Sequence, residues 1–128
     1  MSKNPFMDRA AKRGSSDHGK VSEKRVAASL SARLTPASGA MRGAKSDARK
    51  KTSTHKFQIE SKATTSGTLG VDYGWLVKVT EEAMATGSVP ALTMSFVDVS
   101  GKAKPRGDWI AVPLWAFHQI LEELGDKV

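Results

Sequence analysis

The hexapeptide Phe57-Gln58-Ile59-Glu60-Ser61-Lys62 alternates apolar and polar side chains, the period of a strand with one face on a core. Phe57 and Ile59 take one face, so Gln58, Glu60 and Lys62 share the other. Glu60 and Lys62 then project side by side, about 7 Å apart along the strand. Asp47 falls on the preceding predicted strand. If the two strands form a hairpin turning at Ser53-Thr54, facing residue numbers sum to 107. Asp47 then stands opposite Glu60, with Cβ atoms about 5 Å apart. Two carboxylates that close repel unless a proton or a divalent cation neutralises them. Hard oxygen ligands suit Mg²⁺ or Mn²⁺. Lys62 beside them can orient a water or stabilise charge on a phosphate.

A third carboxylate comes from a predicted helix. Glu23 precedes Ala27, Leu30 and Leu34 by four, seven and eleven residues, which puts it on the apolar stripe of that helix. A glutamate turned inward needs a partner, and Lys62 or a metal-bound water supplies one. The plainer reading is a glutamate in an early helical turn, favoured there by the macrodipole.

The elements that must position these groups follow from periodicity and breakers. Residues 1–16 are basic and contain Gly14-Ser15-Ser16; they read as a flexible arm ahead of a single domain, 17–128. The first helix is expected from about Asp17 to Leu34, with Asp17 as its cap and Pro36 just past its end. An extended segment, Thr35 to Met41, and strands near Lys45–Lys51 and Lys56–Lys62 follow. Ala63 to Gly70 is a small-residue loop. A second helix runs from about Asp72 to Thr86, with Leu76, Val79 and Ala83 inward and Gly87 as its stop. Pro90 precedes a strand, Ala91–Val97, then come a turn at 98–101, a basic loop from Lys102 to Gly107 and a strand from Trp109 to Val112. Pro113 opens a final helix, with Leu114, Phe117, Leu121 and Leu124 inward. The order αβββαββα implies an α/β fold, a mixed central sheet flanked by helices. Trp75, Trp109 and Trp115 fall at core-like positions.

Glu23, Asp47 and Glu60-Ser61-Lys62 together resemble the PD-(D/E)XK nuclease pattern, closest to the archaeal-type and phage Holliday junction resolvases. The spacings of 24 and 13 residues between the three acids are similar to those of that group. The resemblance covers roughly residues 18–124 in element order. Its motif is four residues, and Ser46 rather than proline precedes Asp47. The resemblance implies a restriction-endonuclease-like fold and a homodimer. It also implies a Mg²⁺ site held by Asp47, Glu60 and the Ser61 carbonyl, with Glu23 joining directly or through water, and Lys62 as the residue that positions the attacking water.

Charge agrees with such a substrate. Residues 1–62 hold 15 Lys/Arg and 5 Asp/Glu, whereas residues 63–128 hold 5 and 8. A first half carrying +10 points to a polyanionic partner. Arg9, Lys12, Arg13, Lys24, Arg25, Arg42, Lys45, Arg49, Lys50 and Lys51 are the candidate DNA contacts. His18, His55 and His118 have no metal-ligand spacing, though His55 could reach phosphate from the hairpin tip. Gly67-Thr68-Leu69-Gly70 lacks the Lys-Ser/Thr of a phosphate loop. The chain has no cysteine, which excludes a disulfide framework and cysteine-bound zinc. No apolar run is long enough to span a membrane, and a cytoplasmic, intracellular protein is expected. The expected function is a Mg²⁺-dependent endonuclease, a junction resolvase before other enzymes of the same fold (restriction, repair or nicking). A non-catalytic DNA-binding module is the rival outside enzymes, and the joint presence of the four site residues argues against it.

Overall fold

The computed structural model describes residues 18–34 and 48–125. Helix α1 covers 18–29. It is followed by β1 (Arg33–Leu34), β2 (Ala48–Lys51), β3 (Lys56–Thr64), α2 (Tyr73–Ala85), β4 (Val89–Val97), β5 (Ala103–Ala111) and α3 (Leu114–Glu123). The five strands form one mixed sheet in the order β1-β2-β3-β4-β5. All neighbours are antiparallel except β3 and β4, which are parallel. A parallel pair cannot be joined by a tight turn, and α2 is the crossover. The α/β expectation is met in element order. Among the described residues no helix is long and apolar enough to cross a membrane.

The first helix is shorter than its spacing predicts. Ala32 N–H donates to Ala27 O at 2.8 Å and Ser31 N–H to Ala28 O at 3.1 Å, with Ser31 at φ 53°. That is a Schellman stop with serine in the place that usually takes glycine. Leu34 therefore joins β1, not the helix, yet still packs on the core. Asp17, Pro36 and the extended segment 35–41 lie outside the described residues.

The β2–β3 hairpin has the expected register. Ala48↔Ile59, Arg49↔Gln58, Lys50↔Phe57 and Lys51↔Lys56 all sum to 107. The turn 52–55 lacks the Asn-Gly type of signal, and the Thr52 side chain supplies the order instead. Its hydroxyl accepts from Thr54 N–H at 3.3 Å and from His55 N–H at 3.0 Å.

The sheet is covered on both faces. Ala27 of α1 meets Ala48, Ile59 and Ala91, with Leu30, Leu34, Phe57 and Val112 around them. On the other face α2 buries Val79 and Ala83. Central β4 is accordingly buried along most of its length, and Pro90 lies inside it, opposite Gln58, rather than before it. Asp72 caps α2 by accepting from Gly74 N–H at 2.7 Å.

Three other expectations are corrected. Lys102–Gly107 is not a free loop, because 103–111 is one strand interrupted by a bulge opposite Ser95–Val97. Arg106 takes φ 56° there. A Cβ on Gly107 would sit 2.5 Å from Phe96 O, so only glycine fits. In α3 the inward residue is Ala116 at 2% exposure, whereas Leu114, Phe117 and Leu124 are exposed. Trp109 and Trp115 are exposed as well, so they are not core residues.

One ion pair ties α1 to the edge strand. Both guanidinium nitrogens of Arg25 donate to Asp108, Nη2 to Oδ1 at 2.9 Å, and Nη2 also reaches Ser22 Oγ at 3.2 Å. The Arg25 hydrogen bonds hold the Asp108 carboxyl below its usual range. A carboxyl depressed in the folded state adds stability above its unfolded pKa of about 3.9, and that stability is lost as pH falls through the folded value. Asp108→Asn should therefore lower Tm at neutral pH and leave it unchanged at the acid end. Thermal unfolding from pH 7 down to pH 2 measures this as a flatter profile for the variant.

Candidate active site

Strand β3 is longer than the described part of β2. Its first four residues pair with β2, and the last described pair is Ala48↔Ile59. On the other side β3 pairs with β4 through to Thr64↔Phe96. Residues 60–64 therefore have a β4 neighbour but no β2 neighbour among the described residues. Beside this stretch is a recess of about 260 Å³, lined by Gly19, Lys20, Ser22 and Glu23 from α1 and by Glu60, Ser61, Lys62 and Ala63 from β3. Residues 37 positions apart in the chain, Glu23 and Glu60, thus line one concavity. The helical offset that put Glu23 on the inward stripe is explained, since Glu23 sits at the margin between the core-facing residues and the recess.

Glu60 is 8% exposed. A carboxylate so removed from water needs a compensating charge or hydrogen bonds. Lys62 Nζ lies 3.4 Å from Glu60 Oε2, closer than their spacing along the strand, because the lysine side chain bends back. The same Nζ is 4.7 Å from the centre of the Trp75 ring. A cation held between a carboxylate and an indole face is restrained from two sides. Trp75 was not singled out for this site, although 75, 79 and 83 share the four-residue spacing of the α2 stripe. The expected stripe member Leu76 is instead 38% exposed. Ser61 points to the opposite side, where Thr93 Oγ1 donates to its hydroxyl at 2.7 Å. That bond keeps strand β3 in register with β4 next to the acid.

Of the four expected catalytic residues, Glu23, Glu60 and Lys62 are brought together. Asp47 lies outside the described residues, peptide-bonded to Ala48, whose partner Ile59 is bonded to Glu60. Among the described residues no three His, Asp or Glu side chains form a metal-ion cluster. The donors described at the recess are carboxylate oxygens and backbone carbonyls without imidazole or sulfur, a set whose chemistry fits a hard cation such as Mg²⁺ or Mn²⁺.

The expected DNA contacts divide. Arg9, Lys12, Arg13, Arg42 and Lys45 lie outside the described residues. Lys24 is exposed on α1. Arg25 is held by Asp108. The run 49–51 is split by strand alternation: Lys50 turns towards α1, 3.5 Å from Ser31 O, while Arg49 and Lys51 share the α2 side with Gln58 and Lys56. His55 is not free at the hairpin tip. Its ring faces Glu123 at 3.3 Å and Gln119 at 3.3 Å, and Thr54 also donates to Glu123 at 2.9 Å. These contacts pin the turn to α3.

Compared with known proteins, the chain matches no family model, no curated protein and no solved structure.

The Lys62–Trp75 contact makes a measurable claim. In a double-mutant cycle of Lys62→Met and Trp75→Leu, urea unfolding should give a coupling energy of about 0.5–1 kcal/mol. Additive losses would mean that the ring only packs beside the lysine.

Proposed function

We propose that the chain is a metal-dependent endonuclease that hydrolyses DNA phosphodiester bonds, with Glu23, Asp47, Glu60 and Lys62 as its working residues. The observation that carries this reading is the recess beside residues 60–63 of β3, which a helical glutamate and the strand pair Glu60–Lys62 line together. Two features add support. The hairpin register sums to 107 at each described pair, as the proposed facing of Asp47 and Glu60 requires. The αβββαββα order with a mixed sheet is the architecture that the PD-(D/E)XK resemblance implies.

The chain's own groups have distinct tasks in this reading. Asp47, Glu60 and the Ser61 carbonyl would hold Mg²⁺ or Mn²⁺, with Glu23 at its margin. The bound metal supplies Lewis acidity towards a phosphoryl oxygen and lowers the pKa of water. Lys62, restrained by Glu60 and Trp75, presents a fixed ammonium to the attacking water and to negative charge developing on the phosphate. A cation already in place needs no reorganisation during the reaction. Burial of Glu60 keeps the local dielectric low and strengthens these interactions.

Within nucleases, a four-way junction is the substrate we favour, cut by a homodimer. A junction is two-fold symmetric and needs two nicks, which an isologous dimer matches. The edge strand β5 and the start of α3 expose Trp109, Ile110, Leu114, Trp115 and Phe117, apolar area of the kind that subunit contacts cover.

Glu60→Gln and Asp47→Asn should abolish Mg²⁺-dependent cleavage while DNA binding stays nearly intact, because most affinity comes from phosphate contacts elsewhere. Lys62→Ala should lower the rate about a hundredfold to a thousandfold. Cleavage of a synthetic four-way junction beside linear duplex of the same sequence, with and without Mg²⁺, is the measurement. Full activity of both carboxylate variants would remove the proposed site. Equal cutting of junction and duplex would remove the resolvase reading and leave a nuclease.

A further inference from the structure

A second concavity lies on the α2 side of the sheet, away from the recess just described. It measures about 220 Å³ and is lined by Arg49 and Lys51 of β2, Lys56, Phe57 and Gln58 of β3, and Thr86 and Ser88 after α2. Lys51 and Lys56 are direct cross-strand partners. Like charges in that position oppose folding. Arg49 is two residues from Lys51 on the same face, adding a third cation about 7 Å away. Among the described residues none of the three forms an ion pair. The floor is Gln58, 1% exposed, whose side-chain nitrogen has no hydrogen-bond partner among the described residues. At the rim Thr86 Oγ1 donates to Ala83 O at 3.2 Å and lies 2.8 Å from Ser88 Oγ, so both hydroxyl protons are engaged within the protein and the donors left facing the concavity are the three cations and the Gln58 amide.

Three cations with no ion-pair partner among the described residues, over a buried amide nitrogen with no hydrogen-bond partner there, form a site for an anion. The α2 C-terminus next to it contributes a partial negative charge of about one half, which three full positive charges outweigh. We propose that this concavity is a phosphate-binding subsite for a nucleic-acid strand. Gln58 and Glu60 lie on one face of β3, two residues or about 7 Å apart. A nucleic-acid strand rises about 3.4 Å per phosphate along the duplex axis and covers more than that along its own backbone, so this separation corresponds to one or two phosphates. The subsite therefore holds a phosphate one or two nucleotides from the group at Glu60 and Lys62, and fixes which bond is presented there. The anion site stands on its own residues, whereas its place relative to a scissile bond rests on the nuclease reading.

The test uses the full chain. Thermal unfolding is measured in inorganic phosphate and in chloride at matched ionic strength. Phosphate should raise the Tm of the wild type above its chloride value. Lys56→Glu should lose that response, because it turns the like-charged pair into an opposite one, and should unfold at a higher temperature than wild type in chloride. Lys51→Gln, a milder change, should also lose the phosphate response. Equal responses in wild type and both variants would overturn the site. With an oligonucleotide, Lys56→Glu should lower the slope of log affinity against log salt by about one, and an unchanged slope would overturn the assignment to a nucleic-acid strand. Competition by 5′-phosphorylated and 5′-hydroxyl oligonucleotides identifies the source. Equal binding assigns an internal phosphodiester, as proposed, and binding of only the phosphorylated strand overturns that in favour of a terminal phosphate. Phosphate binding without any Mg²⁺-dependent cleavage would leave this subsite standing and remove the nuclease reading, while cleavage without phosphate binding would do the reverse.

Discussion

The parallel pairing of β3 with β4 is the constraint on which the rest depends. Eight consecutive pairs, from Phe57↔Val89 to Thr64↔Phe96, lock the two strands together. Parallel strands need a crossover that lies over one face, and α2 takes that role. The opposite face is left for α1. With both faces covered, β4 becomes an almost continuously buried strand, and a charged side chain on β3 needs a place where a partner can reach it. The recess beside α1 is such a place, and Glu60 and Lys62 line it.

Charge burial follows from the same geometry. Glu60 is on the α2 side of a central strand, so it is nearly removed from water, and the nearest cation that the strand period can supply is two residues on. Lys62 serves Glu60 on one side and rests on Trp75 of α2 on the other. The crossover helix thus acts on the candidate chemistry through a tryptophan face. A second ion pair, Arg25–Asp108, works at the other end of the sheet. It fastens α1 to β5, and with it the backbone that carries Glu23 to the recess. Close contact at Gly101, where a Cβ would meet Val21 at 2.7 Å, holds the β4–β5 turn against the same helix.

Much of this was legible in the residues. Strict alternation in 57–62 is a two-residue period, and only an extended strand keeps such a pattern on two faces. The same pattern put Glu60 and Lys62 together, and the hairpin register followed from where the polar turn falls. The stop at Gly87 was equally plain, because glycine acts through its own local backbone, whereas the cap at Asp72 came with the structure. Glu23 could be placed inward from its offsets alone. What failed to show was the end of α1. Its stop depends on Ser31 adopting a left-handed conformation, which serine rarely marks. The bulge at 104–107 does not show in the sequence either, because Pro105 and Gly107 mark loops and bulges alike.

Sequence by itself determined the order of helices and strands, the faces of β3, the pairing of the hairpin and the charge asymmetry between the halves. Each of these depends on neighbours within a few residues, or on composition. Tertiary structure decided which groups meet. It brought Glu23 to Glu60 and set Trp75 beneath Lys62. It split Arg49 and Lys51 from Lys50, and it joined them with Lys56 and Gln58 around a concavity. It also left Leu114 and Phe117 of α3 exposed and Ala116 covered. These choices depend on the crossing of helices over a twisted sheet and on which small side chain allows close approach. No local period encodes that information, since it lies in the fit between surfaces that are distant in the chain.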